Sequence, residues 1–336
     1  MRPAGMLTLR ILAGSLGLVA LVELVLLRSG TRTLVHIPGL GRYDVSIGLL
    51  SEVGRLAYYF SVVLLVSTLV YLAVWLWRID TLSARAASVF TTLFLLVAGA
   101  GRIDVLTVPV VGWCSLIATV AVATITWTGV RSIPIGLFTA SWAIAAWSVL
   151  GQGVGGGLSG RSVDVSIVVA ESLLILGGVT APLLVRRGVG RPAVMAGLVA
   201  FLVVAAGFSV GGSTLAILAL WNLGVPGWFS PLAFGLAFGG LVTATWSALA
   251  AHERLTAVSI GLLVAGGVGT ISTYQTGLVL AAIALCYVAS LTGDTETDHV
   301  IVGPRRTSPE RRSRETAPVG RGGYVGTASA RSGFGD

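Results

Sequence analysis

The stretch LAYYFSVVLLVSTLVYLAVWLW, residues 56–77, decides the fold class of this chain. It contains no charged side chain. Folded as an α-helix, with a rise of about 1.5 Å per residue, it would span about 33 Å. The hydrocarbon core of a bilayer is about 30 Å thick. The stretch therefore predicts a helix that crosses a membrane.

Similar apolar runs recur along the chain, and together they predict about ten transmembrane helices. The ten runs are Leu7–Leu27, Leu56–Trp77, Ala86–Gly101, Val105–Val130, Ile133–Leu150, Val163–Val185, Ala193–Val210, Trp228–Ala250, Thr256–Thr270 and Tyr274–Leu291. A single helix over 256–291 would measure about 54 Å, so we expect a turn near Gly269–Ser272. Eight helices result if the third run joins the fourth and the ninth joins the tenth. The predicted fold is an all-α polytopic integral membrane protein.

The composition supports a membrane protein. The chain is 55% hydrophobic and 11% charged, whereas a soluble domain is about 25% charged. All 22 basic residues are Arg, which is typical of a GC-rich prokaryotic genome. The net charge of +8 does not indicate nucleic-acid binding, because the Arg residues lie mainly at helix ends and in the C-terminal tail. The two cysteines lie in separate apolar runs and are expected to be buried hydrophobes.

The positions of the Arg residues predict the orientation, since short cytoplasmic loops carry an excess of positive charge. With the N-terminus inside, the inner side collects nine Arg plus seven in the tail, and the outer side collects six. Four of those six lie in the long first outer loop, residues 28–55. We therefore expect both termini in the cytoplasm and the chain in the cell membrane.

The chain divides into four parts. Residues 1–150 form a first five-helix half, 151–162 a Gly-rich connection, 163–291 a second five-helix half, and 292–336 a tail. Ten helices split five and five, with both ends inside, resemble the layout of drug/metabolite-type transporters. That resemblance is one of helix number and assigns no residue. It implies a small-solute transporter.

Two segments outside the helices have patterns of their own. In the first outer loop, Thr31–Ile37 and Arg42–Gly48 flank a Pro/Gly turn, and the second flank alternates in polarity, which predicts a small extracellular β-hairpin. The tail is rich in Gly, Ser, Thr, Pro and charge, which predicts disorder. It carries a basic cluster expected to contact anionic lipid headgroups, formed by Arg305, Arg306, Arg311, Arg312 and Arg314.

Glu171 is the most informative polar residue in the sequence. It lies about eight residues into the sixth run, where an ionised side chain costs several kcal/mol without a partner, water or substrate. It is a candidate for proton coupling or for pairing with a cationic substrate. The alternative is a structural hydrogen bond to a neighbouring helix. Glu23, near the outer end of the first run, is a weaker candidate of the same kind.

Other patterns point to packing rather than to chemistry. Gly235 and Gly239 form a GxxxG pair in the eighth run, which favours close helix packing. The segment from Ser213 to Pro231 either extends the seventh helix or re-enters the membrane from outside. We found no catalytic motif in the sequence. Its three His residues, at 36, 252 and 299, do not predict a haem or metal site, so no cofactor is expected.

Two classes of function fit these features best. A small-solute transporter using a membrane-embedded carboxylate explains the helical body, the short loops and Glu171. A non-catalytic structural or accessory subunit, which would bind other membrane subunits or itself, explains the scarcity of polar residues. A membrane-bound enzyme fits less well. A polar cavity that reaches Glu171 would favour transport, and a solid apolar bundle would favour the accessory role.

Overall fold

The computed structural model describes residues 3–24, 35–37, 41–43, 48–153, 160–186, 188–211, 229–267 and 272–292. Within these ranges the chain forms ten α-helices, two short 3-10 helices and one pair of strands. The helices are α1 Pro3–Glu23, α2 Gly48–Trp77, α3 Leu82–Arg102, α4 Val108–Ile125, α5 Ile133–Gly153, α6 Gly160–Thr180, α7 Arg191–Gly211, α8 Phe229–Ala250, α9 Arg254–Gly267 and α10 Thr273–Thr292. The 3-10 helices are Val130–Ser132 and Ala181–Leu184.

The all-α class predicted from the sequence is confirmed. Among the described residues, six segments are long and apolar enough to cross a membrane, namely Gly5–Glu23, Glu52–Trp77, Leu82–Arg102, Val108–Ile125, Leu232–Ala250 and Thr273–Thr292. The same part of the chain contains three shorter apolar segments, Val168–Leu184, Arg191–Ala205 and Arg254–Gly266. Several apolar helices indicate a membrane protein, and the full number of ten crossings stays a prediction.

Local sequence sets the start of α3 and separates α3 from α4. The Thr81 hydroxyl caps α3 by accepting a hydrogen bond from the Ala84 amide at 3.3 Å. After α3, Asp104 takes a positive φ of 55°, a left-handed conformation that Asp tolerates better than most residues. Pro109 then lies in the first turn of α4, where its missing N–H costs little. The two helices pack against each other, as do α9 and α10, so neither pair is one continuous helix.

The last helix, α10, lies in the interior of the bundle. Every side chain from Tyr274 to Ala289 is buried, and the helix packs against α2, α3, α4 and α9. A helix that is apolar on all sides is expected in such a position. Gly277 allows this packing, because a Cβ there would lie 2.8 Å from the Leu65 side chain.

The segment between α1 and α2 contains a pair of short strands, β1 Val35–Ile37 and β2 Gly41–Tyr43. They pair antiparallel, with Val35 opposite Tyr43 and His36 opposite Arg42. Both strands are shorter than the alternating segments in the sequence, and Gly41 belongs to the second strand rather than to the turn. Residues 38–40 lie outside the described part of the chain.

Several predicted features fall wholly or partly outside the described ranges. They are residues 154–159 of the Gly-rich connection, residues 213–228 of the segment Ser213–Pro231 considered for re-entry, and the tail from residue 293 with its five-Arg cluster. The helices on either side of the connection extend into it, because α5 continues to Gly153 and α6 begins at Gly160.

Candidate functional site

A cavity of ≈ 520 Å³ lies between α2, α3, α4, α5 and the start of α10. It is lined by the middle of α2, the second halves of α3 and α5, the first half of α4 and the first residues of α10. These parts meet where α3 turns into α4, which we call the α3–α4 end of the bundle. A pocket of this volume is in the range of sites for drug-sized ligands, about 300–1,000 Å³.

The walls of the cavity are mostly apolar, and glycines bring them together. Buried lining side chains include Leu65, Leu69, Phe94 and Val111. A Cβ at Gly101 would lie 2.6 Å from the Val111 side chain, and one at Gly112 would lie 2.5 Å from Leu150. The two glycines therefore let α4 approach α3 on one side and α5 on the other.

Two polar groups at the cavity have no hydrogen-bond partner among the described residues. They are the Ser115 hydroxyl and the Trp142 indole N–H, whose residues are 1% and 5% exposed. A buried polar group without a partner costs about 1–3 kcal/mol. Such groups are rare in native proteins and call for a specific explanation. A ligand or an ordered water in the cavity would satisfy both.

Several residues that line the cavity are also exposed at the surface of the bundle. Val66 and Val70 of α2 line it and are each exposed by 47%. Arg102 and Val108, on either side of the α3–α4 turn, are exposed lining residues as well. Exposed lining residues therefore lie both on the outer face of α2 and at the α3–α4 end.

A hydrogen-bonded aromatic cluster fixes the start of α10 beside the cavity. The hydroxyls of Ser61 and Tyr274 are 2.5 Å apart, which ties α10 to α2. The Tyr58 ring contacts the Tyr274 ring edge to face, with centroids 5.1 Å apart. The Ser272 hydroxyl caps the helix by accepting a hydrogen bond from the Gln275 backbone N–H at 3.3 Å. These contacts hold one wall of the cavity in place.

Glu171 does not reach this cavity. It lies in the middle of α6, and α6 contributes no lining residue. The side chain is half-buried, and its Oε2 atom is buried without a hydrogen-bond partner in the described part of the chain. The neighbouring residue Ala170 accepts a 2.5 Å hydrogen bond through its carbonyl from the Ser141 hydroxyl of α5.

Glu23 is the last residue of α1 and is 2% exposed. Glu23 takes part in a hydrogen bond or an electrostatic interaction with another residue. Because α1 packs on α2 and α9 whereas α6 packs on α5 and α8, Glu23 and Glu171 belong to different groups of helices. The structure does not combine these two carboxylates into one site.

Gly235 and Gly239 lie where α8 contacts α7. A Cβ at Gly235 would lie 2.9 Å from the Phe201 ring, and one at Gly239 would lie 2.9 Å from the Gly197 carbonyl oxygen. On the other side of α8, Gly240 faces the Gly178 carbonyl of α6. Small residues on α8 thus permit close backbone approach to two neighbouring helices.

Sequence reasoning missed the buried carboxylate of Glu253, which precedes α9. The residue is 3% exposed. The Arg186 backbone N–H donates to both of its carboxylate oxygens, and the Arg186 nitrogen lies 3.2 Å from each of them. This contact joins the loop between α6 and α7 to the loop between α8 and α9. In the sequence Glu253 looks like an ordinary charged loop residue, and its position beside a helix N-terminus was the available signal.

Within the described ranges, no group of three or more His, Cys, Asp or Glu side chains is placed to hold a metal ion. No protein-family model matches the chain, and comparison with curated proteins and with solved structures finds no match. The functional assignment therefore depends on the geometry of the cavity.

Proposed function

We propose that this chain is a ten-span protein of the cell membrane that transports a small solute through the cavity. The observation that supports this best is the pair of unpartnered polar groups, on Ser115 and Trp142, in a cavity that is open to the surface. Because both donors line one cavity, a single bound molecule could satisfy them, which favours a binding role for the cavity. A transporter needs a site that binds its solute between the helices.

The proposed topology has both termini in the cytoplasm and the α3–α4 end outside. Loops that the Arg positions assign to the inner side meet at the opposite end of the bundle. Glu253 there binds the Arg186 amide, and the hydroxyls of Ser83 and Tyr287 are 2.7 Å apart. The strand pair would then lie outside, and the Arg cluster of the tail would contact anionic lipid headgroups at the inner surface.

Cysteine labelling tests this topology. Val105 in the α3–α4 turn and Val189 in the α6–α7 loop are both exposed. In a chain without native cysteines, Val105→Cys should react with a membrane-impermeant maleimide on intact cells. Val189→Cys should react only after the cells are opened. The reverse pattern would overturn the orientation. Val189 is preferred to the adjacent Gly188, whose φ of 83° would strain a side chain.

Cysteine labelling also tests transport without a known substrate. Ala146 lines the cavity from α5, whereas Ala118 of α4 is equally buried and does not line it. A transporter exposes its site to each side in turn. Ala146→Cys should therefore react with the impermeant maleimide both from outside and in inverted vesicles. Ala118→Cys, the matched control, should stay unlabelled from either side.

The second candidate function is an accessory subunit of a membrane complex. Two observations favour it. Helix α10 is buried along its length, and α6, which carries Glu171, contributes no residue to the lining of the cavity. Labelling of Ala146→Cys from the outer side alone would support this candidate, because the cavity would then bind a molecule without passing it on.

Under the transport proposal, Glu171 acts as a proton-coupling carboxylate away from the solute site.

A further inference from the structure

We propose that the ligand of the cavity is an uncharged lipophilic molecule with a carbonyl-type hydrogen-bond acceptor, and that it enters sideways from the bilayer. This inference rests on the proposed function and specifies its substrate class. The ligand's acceptor binds Ser115 and Trp142, while its apolar body lies between α2, α3 and α5.

The hydrogen-bonding capacity of the cavity defines the polar part of the ligand. The indole N–H of Trp142 can only donate, and the Ser115 hydroxyl has a proton free to donate. Both groups are therefore satisfied by an acceptor such as a ketone, quinone or ester oxygen. Neither requires a charged partner.

The charges around the cavity exclude an ionic ligand at this depth. Among the described residues that line it, Arg102 is the one charged side chain, and it is exposed. Ser115 lies seven residues into α4 from Val108, about 10 Å deeper along the helix axis. An ion beside Ser115 would lie among mostly apolar lining residues, and a charge without a close partner in an apolar interior is strongly unfavourable.

The exposed part of the lining gives the route of entry. Val66 and Val70 both lie at least seven residues from either end of the 30-residue helix α2, and both are exposed as well as lining. In a membrane, exposed Val at mid-helix faces the lipid chains. A molecule dissolved in the bilayer can thus pass from the lipid into the cavity without crossing water.

A photoreactive aryl ketone provides the test. The probe is 4-hexylbenzophenone, a neutral lipophile whose carbonyl accepts hydrogen bonds and crosslinks to nearby C–H groups on illumination. The purified full chain in lipid nanodiscs is titrated with the probe, and mass spectrometry identifies the crosslinked residues. Crosslinks should concentrate on cavity-lining residues. Benzophenone, whose own adducts are distinguished by mass, should compete with these crosslinks, and diphenylmethane, which lacks the carbonyl, should compete about tenfold less well.

Matched variants assign the acceptor contact. Ser115→Ala and Trp142→Phe should each weaken probe binding by about five- to tenfold. The controls are Ser88→Ala, whose hydroxyl bonds to the Ala73 carbonyl at 2.7 Å, and Trp147→Phe, an exposed residue of the same helix α5. Neither control residue lines the cavity, so binding should be unchanged in both. Equal effects in variants and controls would overturn the proposal.

Two further outcomes separate this inference from the proposed function. Tighter competition by 4-benzoylbenzoate than by benzophenone would show that the site prefers an anion and would overturn the neutral ligand class. If the ketone fails to bind while Ala146→Cys is labelled from both sides, transport stands and the ligand class is wrong. If the ketone binds while labelling is one-sided, the ligand class stands and transport is wrong. The competition by diphenylmethane uses the unmodified chain, so it decides the question even if a variant fails to fold.

Discussion

Replacing Gly197 by Ala should force α7 and α8 apart. A Cβ at Gly197 would overlap the Thr243 hydroxyl and lie 2.6 Å from the Gly239 carbonyl oxygen. That carbonyl is backbone, so no side-chain rotation removes the clash. Rotation of Thr243 would relieve the other contact, but it would break the 2.7 Å hydrogen bond from its hydroxyl to Gly239.

The size of the effect follows from two opposing terms. Overpacking a closely packed contact costs about 1–3 kcal/mol, and a clash with backbone belongs at the upper end of that range. Exchanging Gly for Ala within a helix stabilises it by about 0.5–1 kcal/mol. Gly197→Ala should therefore lower the free energy of unfolding by about 2 kcal/mol.

Gly14→Ala is the matched control. Gly14 lies within α1, and a Cβ there would have no heavy atom within 4 Å apart from its chain neighbours and the nearby backbone of its own helix. The helix-propensity gain then acts alone, so this variant should be more stable than the natural chain by about 0.5–1 kcal/mol. The same chemical change is thus expected to act with opposite sign in two helices.

Unfolding of the purified chain in mixed micelles, by titration with sodium dodecyl sulfate and circular dichroism, measures both variants. A Gly197→Ala chain as stable as the natural one would refute the close crossing of α7 and α8. A similar loss in both variants would show that Gly to Ala changes destabilise this protein for a reason other than the contact.

Three further predictions use the same purified chain. Tyr274→Phe and Ser61→Ala should each lower the free energy of unfolding by about 1 kcal/mol. The double variant should lose less than the sum of the two, because all three variants lose the same hydrogen bond. Additive losses would contradict that bond. In the same titration, Glu253→Ala should lower the free energy of unfolding by about 1–3 kcal/mol, because the Arg186 backbone N–H loses its acceptor. Glu253→Gln should lower it by less. Equal losses in the two variants would show that this hydrogen bond does not account for the effect on stability. Glu171→Gln should reduce the pH dependence of solute uptake into proteoliposomes while leaving the unfolding curve unchanged; full uptake with an unaltered pH profile would remove Glu171 from the mechanism.

The positions of the helices could be predicted from the sequence because each one is recorded locally. A run such as 56–77 is apolar over the length of a bilayer whatever its neighbours are, and the turn at 103–107 separates two such runs. The break between α9 and α10 follows from length alone, because one helix over 256–291 would be too long for a bilayer. Helix ends were less accurate, as at α4, which ends at Ile125 rather than at Val130.

The central position of α10 could not be predicted, because every run in the sequence is similarly apolar. Which helix is enclosed by the others depends on contacts between segments far apart in the chain. Some signal existed in its small residues, such as Gly277 and Ala281, which let neighbouring helices approach. The exposed side of α2 carries larger side chains, among them Val66 and Val70.

The cavity was missed because its polar residues look ordinary in the sequence. A Ser or Thr within a membrane helix usually bonds to the carbonyl four residues earlier, as Thr91 and Thr119 do here. Ser115 has the same sequence context and no such bond among the described residues. A search for charged residues selects Glu171, and it cannot find a site built from neutral donors on separate helices.

Helix α5 joins the cavity and Glu171 through adjacent residues that face different sides. Trp142 lines the cavity, while the hydroxyl of the preceding Ser141 donates to the Ala170 carbonyl at 2.5 Å, next to Glu171 on α6. One turn earlier, Phe138 packs against Gly177 of α6, where a Cβ would lie 3.1 Å from the ring. With so little free space between α5 and α6, a shift of α6 on protonation of Glu171 would move α5 and change the shape of the cavity. A coupling carboxylate therefore does not need to contact the solute.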